Sequence, residues 1–226
     1  MKRVPEPELM DSVEQTTAYA AADFSEPNGL FCQHVQSLLA KRPPSQRPNR
    51  LLDLGCGSGG LLADMARALT DWTLVGVDAG PNMLALAQTT LQDQQLSPRA
   101  SLVQAHLPAE LDRLTPLGPY AAITSNSLLH HLTDPMTLWQ AIAHLGETNT
   151  SVVVMDLHRP NNHDEVDALV EAHTQGAGDV LKQDFYNSLC AAWRVDEVMD
   201  QLQAMGWRDW RLTQPSNRHW LVTGQL

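Results

Sequence analysis

The sequence predicts an α/β fold built on a largely parallel sheet of seven strands, and two observations carry that prediction. Short apolar runs alternate with amphipathic segments of helix length from residue 50 onward, which is typical of strands joined by crossover helices. The first of these runs passes directly into a glycine-rich turn and then a helical segment. Open α/β sheets bind ligands at such turns, so we expect a binding site at the carboxyl ends of the strands.

Residues 1–47 precede the predicted sheet and form an expected helical cap. Good helix formers fill residues 9–22, and a second helical segment, 30–40, follows a turn-like stretch at residues 26–29. Three prolines within residues 41–49 then predict a loop or linker. The core of the protein is expected to span residues 48–226.

The core elements follow one another in a regular order. Strands are predicted at residues 50–54, 73–78, 100–104, 121–125, 150–157, 207–213 and 219–223. Helices are predicted at residues 60–69, 81–94 and 135–145, where Pro81 and Pro135 suit a first helical turn because the N–H that proline lacks would be unbonded there. A last helix begins at Val195 and closes at Gly206, before the sixth strand.

The alternation of strands and helices breaks once, after the fifth strand. Residues 159–194 contain two helical stretches, 164–173 and 179–192, with no predicted strand between them. An insertion at this point leaves from the sheet edge at which open α/β sheets bind ligands. We therefore expect a helical lid over the site.

Composition excludes several classes of protein. The 226 residues hold 15 Lys and Arg against 26 Asp and Glu, a formal net charge of −11, which disfavours nucleic acid and anionic membrane surfaces as partners. No stretch reaches the roughly 18 apolar residues of a membrane span, and the start lacks the apolar core of a signal peptide. Three cysteines without paired spacing predict neither a disulfide frame nor a zinc ribbon. We expect a cytoplasmic protein, either a monomer or a homodimer.

Two acidic residues distinguish between the ligands that the glycine turn could hold. Gly55, Gly57 and Gly60 alone also satisfy the fingerprint of a dinucleotide-binding turn. Asp53, two residues before the first glycine, would repel a pyrophosphate but favour a cationic amino-acid group. Asp78, at the end of the second strand, suits the two hydroxyls of a ribose. The pair describes S-adenosylmethionine, which carries a ribose and a positive charge but no phosphate.

The residues around these acids resemble the class I S-adenosylmethionine-dependent methyltransferases. The resemblance is carried by residues 51–59, 75–78 and 120–134, the last with the run Ser-Asn-Ser-Leu-Leu-His-His-Leu at 125–132. Within that superfamily the sequence is similar to small-molecule enzymes such as those of quinone biosynthesis. The resemblance implies a Rossmann-like sheet with helices on both faces and an antiparallel last strand. It also implies methyl transfer from S-adenosyl-L-methionine to a small-molecule acceptor, with release of S-adenosylhomocysteine.

The resemblance assigns cofactor contacts to particular positions. The residues expected to contact the cofactor are Asp53, Gly55, Cys56, Gly57, Gly59, Asp78, Ala79, Met83, Ser125 and Tyr19. Many relatives carry an acid after the third strand to accept from the adenine amine, whereas this chain has Gln104, Ala105 and His106. The adenine contact therefore falls either to a side chain, Gln104 or His106, or to the backbone of Ala105 and His106.

Three histidines at strand ends are candidates for acid–base chemistry. Methyl transfer requires alignment of the reactants, and it requires a base only where the acceptor must lose a proton. His130 and His131 follow the fourth strand and His158 follows the fifth, and each has the alternative of ordering backbone or packing against the cofactor. A metal site built from Asp156, His158 and one of the other two rests on geometric plausibility alone, so no metal is expected.

Residues of the cap and the insertion are candidates for the acceptor pocket. Phe24, Arg159 and Tyr186 are the expected acceptor contacts, with His173 and Phe185 also brought by the insertion. The fourth strand lacks the Asn-Pro-Pro-Tyr motif of amino methyltransferases, which disfavours DNA adenine and glutamine-amide acceptors. Oxygen, nitrogen, sulfur and carbon stay open as the methylated atom. The alternatives are an NAD-dependent oxidoreductase on the same sheet and a catalytically silent scaffold that binds the cofactor.

Overall fold

A computed structural model describes residues 1–7, 9–42 and 48–226 of the chain. Its sheet has seven strands in the order β3-β2-β1-β4-β5-β7-β6. The strands are β1 (Arg50–Leu54), β2 (Thr73–Asp78), β3 (Ala100–Gln104), β4 (Ala122–Asn126), β5 (Ser151–Leu157), β6 (Arg211–Thr213) and β7 (His219–Gln225). Strands β1 to β5 pair in parallel, whereas β7 is antiparallel to both β5 and β6. The predicted α/β fold with an antiparallel last strand is confirmed.

Helices lie on both faces of this sheet, as predicted. They are α1 (Val13–Ala20), α2 (Ser25–Leu39), α3 (Gly60–Ala68), α4 (Pro81–Asp93), α5 (Met136–Leu145), α6 (His163–His173), α7 (Asp179–Ala191) and α8 (Val195–Ala204). Two short 3₁₀ helices, Leu111–Arg113 and Thr115–Leu117, replace a full helix between β3 and β4.

The alternation of side chains along β1 divides the protein interior into two cores. Leu51 packs on one face with Phe31 of α2 and Leu62 of α3, all three fully buried. Leu52 packs on the opposite face with Trp139 of α5 and Leu202 of α8. Because each fully buried leucine or aromatic side chain contributes about 1.5–3 kcal/mol, these two layers hold the sheet edge in a fixed position.

The strand register brings the predicted acids to one edge of the sheet. Asp53 lies opposite Thr124 of β4, and Asp78 lies opposite Gln104 at the end of β3. Because β7 is antiparallel, its first residue, His219, lies opposite Leu157 at the end of β5. The amino end of β7 therefore reaches the same edge as the carboxyl ends of the parallel strands.

Three elements begin more than one residue away from the predicted positions. Helix α1 starts at Val13 because Ser12 accepts the backbone N–H of Gln15 and so caps the helix. Helix α2 starts at Ser25, five residues early, where the Asp23 carboxylate accepts the first N–H. Strand β6 is confined to Arg211–Thr213, since Trp207 still belongs to the turn after α8 and donates its N–H to the Leu202 carbonyl at 3.0 Å.

The insertion after β5 contains two helices, α6 and α7, at the predicted places. Its contact with the N-terminal part of the chain includes a hydrogen bond from the Gln15 amide to Asp184 of α7 at 3.1 Å. The predicted loop at 41–49 falls partly on residues 43–47, which lie outside the described residues. Among the described helices, none has the length and apolar character needed to cross a bilayer.

Candidate functional site

A cavity of about 880 Å³ lies at the sheet edge where the strand ends meet. Its walls come from the glycine turn after β1, the ends of β2 and β3, the loop after β4, and the start of β7. Residues of the cap and of α7 close it from above. A cavity of this size falls within the range of about 300–1,000 Å³ that is typical of small-molecule sites.

The glycine turn combines an open position with a closely packed one. Gly57 has a φ of +51° and lines the cavity, and a Cβ there would meet no atom within 4 Å. Gly59 has a φ of +78°, and a Cβ there would lie 2.8 Å from the Cβ of Ala87 in α4. Gly59, unlike Gly55, Cys56 and Gly57, is not part of the cavity wall, so its place is in helix packing rather than at the expected cofactor surface.

Asp78 connects the end of β2 to the glycine turn. Its carboxylate accepts the backbone N–H groups of Gly57 and Gly80, both at 2.8 Å. Burial raises the pKa of Asp78, although these backbone donors oppose the rise. The carboxylate lines the cavity and is thus positioned by two backbone contacts before any ligand binds.

Asp53 is the second carboxylate at the cavity, and it is only 2% exposed. The Thr124 hydroxyl donates to its Oδ1 at 2.7 Å. Burial raises the pKa of Asp53 to about 7, and the charge of Asp78 adds to the rise while the Thr124 hydrogen bond opposes it. Asp53 can therefore change its charge near neutral pH, within reach of a ligand.

The predicted adenine side of the site is assembled at the ends of β2 and β3. Ala79, Met83, Ala105 and His106 all line the cavity. The Gln104 amide donates to the Ala79 carbonyl at 3.2 Å and is therefore engaged within the protein. Three residues could take the place of the acid that many relatives carry. Of these, Ala105 and His106 line the cavity and Gln104 does not.

Two aromatic residues of the cap line the same cavity. The rings of Tyr19 and Phe24 lie 4.5 Å apart between centroids. Burial, together with the charge of Asp78, raises the pKa of Tyr19 to about 12. The ring pair thus lies on the side of the cavity where Asp78 is found.

His130 and His131 lie in the cavity wall beyond the glycine turn, and a buried carboxylate orients the first of them. His130 Nδ1 lies 2.5 Å from Asp156 Oδ1, and Asp156 also accepts the backbone N–H of His130. Burial alone would lower the pKa of His130, but Asp156 outweighs burial and raises it. Burial and the neighbouring His130 lower the pKa of His131 to about 3.

Four further predicted site residues do not line the cavity. Ser125 is fully buried and donates to the Leu54 carbonyl at 2.9 Å, beneath the glycine turn. His158 forms an isolated β-bridge with Trp193, and burial lowers its pKa. Both residues are engaged by neighbouring segments of the protein, so neither faces the cavity.

The two remaining residues of this group were expected at the acceptor. Arg159 is buried and pairs with Glu197 at 2.6 Å, so it fastens the base of the insertion to α8. The hydroxyl of Tyr186 bonds to His163 at 2.8 Å on the far side of α7. Phe185, its neighbour, lines the cavity instead, because adjacent helical residues point about 100° apart.

Several cavity residues were missed by the sequence interpretation. Arg218 and His219 reach the cavity from the start of β7, where Arg218 pairs with Glu26 at 2.9 Å. Asp11 does not line the cavity itself. It accepts the N–H groups of Asn82 and Met83, and so holds the lining residues Leu9 and Met10 across the start of α4. The antiparallel direction of the last strand would have pointed to Arg218, since that direction sends the start of β7 to the ligand edge.

A further missed residue, Glu6, comes from the N-terminal segment. Its Oε1 lies 3.5 Å from His130 Nε2 and 3.3 Å from His131 Nδ1. The Ser188 hydroxyl of α7 donates to the same oxygen at 3.1 Å. Burial raises the pKa of Glu6, while His130 opposes the rise. No feature of the sequence around residue 6 indicated this contact.

Comparisons with known proteins agree with this geometry. Residues 51–149 match a family model described as a methyltransferase domain. The matched residues contain the glycine turn, Asp78 and the two histidines after β4.

Two curated proteins with similar sequences are named as methyltransferases. The ubiquinone biosynthesis O-methyltransferase of Psychrobacter cryohalolentis is 34% identical over 92 residues, which are 41% of this chain and 34% of that protein. The protein of that name from Pectobacterium atrosepticum is 30% identical over 131 residues, 58% of this chain and 48% of the relative. The chain thus spans less than half the length of the curated relatives it matches.

Solved structures share the fold over nearly the whole chain. The plantazolicin methyltransferase BpumL, in complex with a triazolic desmethylPZN analog and SAH, has a TM-score of 0.65 at 13% identity and covers 95% of this chain and 92% of its own. A putative O-methyltransferase from Nostoc punctiforme PCC 73102 has a TM-score of 0.64 at 14% identity and covers 96% of this chain and 62% of its own. At these identities the likeness shows the fold alone.

Proposed function

We propose that this chain, whose residues 51–149 match a methyltransferase-domain model, is a class I S-adenosylmethionine-dependent enzyme that transfers a methyl group from S-adenosyl-L-methionine to a small-molecule acceptor. The observation that carries the proposal is the position of two carboxylates, the buried Asp53 and the half-buried Asp78, on either side of one glycine turn in one cavity. A ligand with a ribose and a cationic group, but no phosphate, matches this arrangement.

The same observation argues against the dinucleotide alternative. In dinucleotide sites the backbone N–H groups of the glycine turn bind the pyrophosphate. Here the Gly57 N–H already donates to Asp78. A pyrophosphate would therefore compete with a carboxylate for that donor and would face the charges of Asp53 and Asp78. We conclude that an NAD-dependent oxidoreductase is disfavoured.

The cavity residues divide among the parts of the cofactor. We assign the ribose hydroxyls to Asp78 and the amino-acid group to Asp53. The adenine falls to the wall formed by Ala79, Met83, Ala105 and His106, and Tyr19 and Phe24 cover the bound cofactor. The glycine turn supplies the surface between the two carboxylates.

The acceptor falls on the other side of the glycine turn from the adenine. In the sheet order, β1 separates β2 and β3 from β4 and β5, so the loop that carries His130 and His131 lies opposite the adenine wall. Methyl transfer forms a bond from the acceptor to the methyl carbon while the sulfur–carbon bond breaks and its electron pair stays on sulfur. The cavity walls hold the two reactants in line, which is the main requirement of this reaction.

Transfer of radiolabelled methyl groups from S-adenosylmethionine tests the proposal. The purified chain is incubated with the labelled cofactor and a panel of phenols, thiols, amines and activated carbon acids, and S-adenosylhomocysteine release is measured in parallel. We expect label in at least one class of acceptor. Cofactor binding without transfer across the panel would instead support the silent-scaffold alternative.

A further inference from the structure

Three side chains of the kinds that bind metals meet beside the cavity, and the proposed methyl transfer does not account for them. They are Glu6 from the N-terminal segment and His130 and His131 from the loop after β4. The donor atoms, one carboxylate oxygen and two ring nitrogens, all lie within 4.8 Å of one another. Among the described residues this is the group with ligand spacing, and it differs from the combination of Asp156 and His158 considered from the sequence.

One ring nitrogen of each histidine is directed at the Glu6 carboxylate. His130 Nδ1 is bonded to the Asp156 carboxylate, so its Nε2 is the nitrogen that faces Glu6. His131 Nδ1 is buried without a hydrogen-bond partner. It lies 3.3 Å from Glu6 Oε1 and is therefore the nitrogen of that ring that faces Glu6.

The His130 ring has the outer partner that metal-binding histidines show. A histidine ligand almost always donates its second ring N–H to a carboxylate or a backbone carbonyl, which fixes the ring and its tautomer. For His130 this partner is the Asp156 carboxylate, which holds Nδ1 and leaves Nε2 directed at Glu6.

The distances also suit a tetrahedral ion. Zinc binds imidazole nitrogen and carboxylate oxygen at about 2.0–2.2 Å, which places two tetrahedral donors about 3.3–3.5 Å apart. Glu6 Oε1 lies 3.5 Å from His130 Nε2 and 3.3 Å from His131 Nδ1. Two of the three donor pairs thus have tetrahedral spacing, and the third pair, between the two rings, lies within 4.8 Å.

The charges around the cluster favour a cation. Glu6 and Asp156 supply two carboxylates, and Arg3 supplies the nearby guanidinium, which donates to the His130 and Leu132 carbonyls at 2.9 and 3.2 Å. Two negative groups against one positive group leave a net attraction for a dication in a buried place. Arg3 also ties the N-terminal segment to the loop that carries the two histidines.

We propose that Glu6, His130 and His131 bind a divalent transition metal, such as Zn²⁺, at the acceptor side of the cavity. Two imidazoles and one carboxylate are ligands that suit zinc and leave a fourth tetrahedral position. The bound ion would join the N-terminal segment to the loop after β4, and its open position would face water or an oxygen, nitrogen or sulfur atom of an acceptor. This inference goes beyond the proposed methyl transfer and does not depend on it.

Titration of the metal-free protein tests the site. The full chain is stripped with a chelator, and Zn²⁺ is added in a calorimeter; Co²⁺ is added in a separate experiment for its visible d–d absorption. We expect one equivalent to bind, with the intense Co²⁺ absorption of a tetrahedral site. Glu6→Gln and His131→Asn should each weaken Zn²⁺ binding at least about tenfold, since even loss of an outer-shell partner costs about 10–100-fold.

Matched variants of exposed residues control for surface binding. Glu14→Gln in α1 and His144→Gln in α5 remove the same chemical groups elsewhere and should leave the titration unchanged. Absence of saturable binding, or equal binding by the Glu6 and His131 variants and the parent chain, would overturn the metal site. Such a result would indicate a proton shared between Glu6 and the histidines. Binding of S-adenosylhomocysteine to the metal-free chain is measured separately, so failure of one proposal is distinguishable from failure of the other.

Discussion

The Asp78 carboxylate accepts the backbone N–H of Gly57 at 2.8 Å, so the end of β2 is joined directly to the glycine turn after β1. A second backbone donor, Gly80, holds the other carboxylate oxygen at the same distance. Because a carboxylate held by two N–H groups loses little freedom on binding, Asp78 is preorganised for the ribose hydroxyls that we propose it binds. The contact also removes the donor that a phosphate would need.

Replacement of Asp78 by asparagine should weaken binding of S-adenosylhomocysteine about tenfold or more. The amide keeps one acceptor but turns an NH₂ group towards a backbone donor, and hydrogen bonds to a charged group contribute about 1.5–3 kcal/mol. Isothermal titration measures the loss. Asp93→Asn, on the exposed side of α4, is the matched control and should bind as the parent chain does. Unchanged affinity in Asp78→Asn would contradict the ribose assignment.

The stability of the ligand-free protein should depend on pH through Asp53. Burial raises the pKa of Asp53 to about 7, whereas an aspartate in an unfolded chain titrates near about 3.9. Between these values the folded protein keeps a proton that the unfolded chain has released, so stability falls as the pH rises through this window and levels off above pH about 7. The ionisable groups that interact electrostatically with Asp53 are Asp78, Cys56 and Cys32.

Urea unfolding at a series of pH values, compared between the parent chain and Asp53→Asn, measures this contribution. The asparagine keeps an acceptor for the Thr124 hydroxyl but has no titration, so the difference between the two curves isolates Asp53. We expect the parent chain to lose stability relative to the variant from pH 4 to about pH 7. A flat difference curve would show that Asp53 is ionised throughout.

Substitution of Gly59 by alanine should destabilise the fold by about 2–4 kcal/mol. The new Cβ would lie 2.8 Å from Ala87 Cβ at a φ of +78°, so a steric clash adds to backbone strain. Gly176 has the same φ but no atom within 4 Å of an added Cβ, so Gly176→Ala carries the strain alone. Denaturant unfolding of the two variants separates the terms, and equal losses would rule out the packing role of Gly59.

The sequence predicted those parts of the site that are local in the chain. The glycine turn, Asp53 and Asp78 each stand at the end of a recognisable strand, and parallel pairing brings strand ends together. The predicted cofactor residues at these ends line the cavity, apart from Gly59 and Ser125, and their contacts with a ligand stay predictions. Nearly all elements of the core were likewise predictable from apolar periodicity.

The remaining features depend on tertiary contacts between segments far apart in the chain. Glu6 reaches His130 across more than 120 residues, and no local pattern marks residue 6 as part of a site. The structure places Phe185 at the cavity, where the sequence predicted Tyr186, for a different reason. Both residues lie on α7, and only the packing of that helix decides which of two neighbours points inward.

Arg159→Ala should lower stability without changing cofactor affinity. The side chain is buried, pairs with the partly exposed Glu197 and donates to the Ala192 carbonyl, so its loss leaves that carbonyl unpaired at a cost of about 1–3 kcal/mol. Thermal unfolding and S-adenosylhomocysteine titration are measured on the same sample. Arg211→Ala, at an exposed position of β6, serves as the control. A large loss of affinity in a folded Arg159 variant would contradict this prediction and show that Arg159 contributes to cofactor binding.

Isothermal titration of the parent chain with S-adenosylhomocysteine, and in parallel with NADH, tests the central claim most directly. The two carboxylates at the glycine turn, Asp53 and Asp78, predict saturable one-to-one binding of S-adenosylhomocysteine and no heat from NADH at the same concentrations. Saturable binding of NADH, with none of S-adenosylhomocysteine at high micromolar concentration, would contradict the account and favour the oxidoreductase alternative.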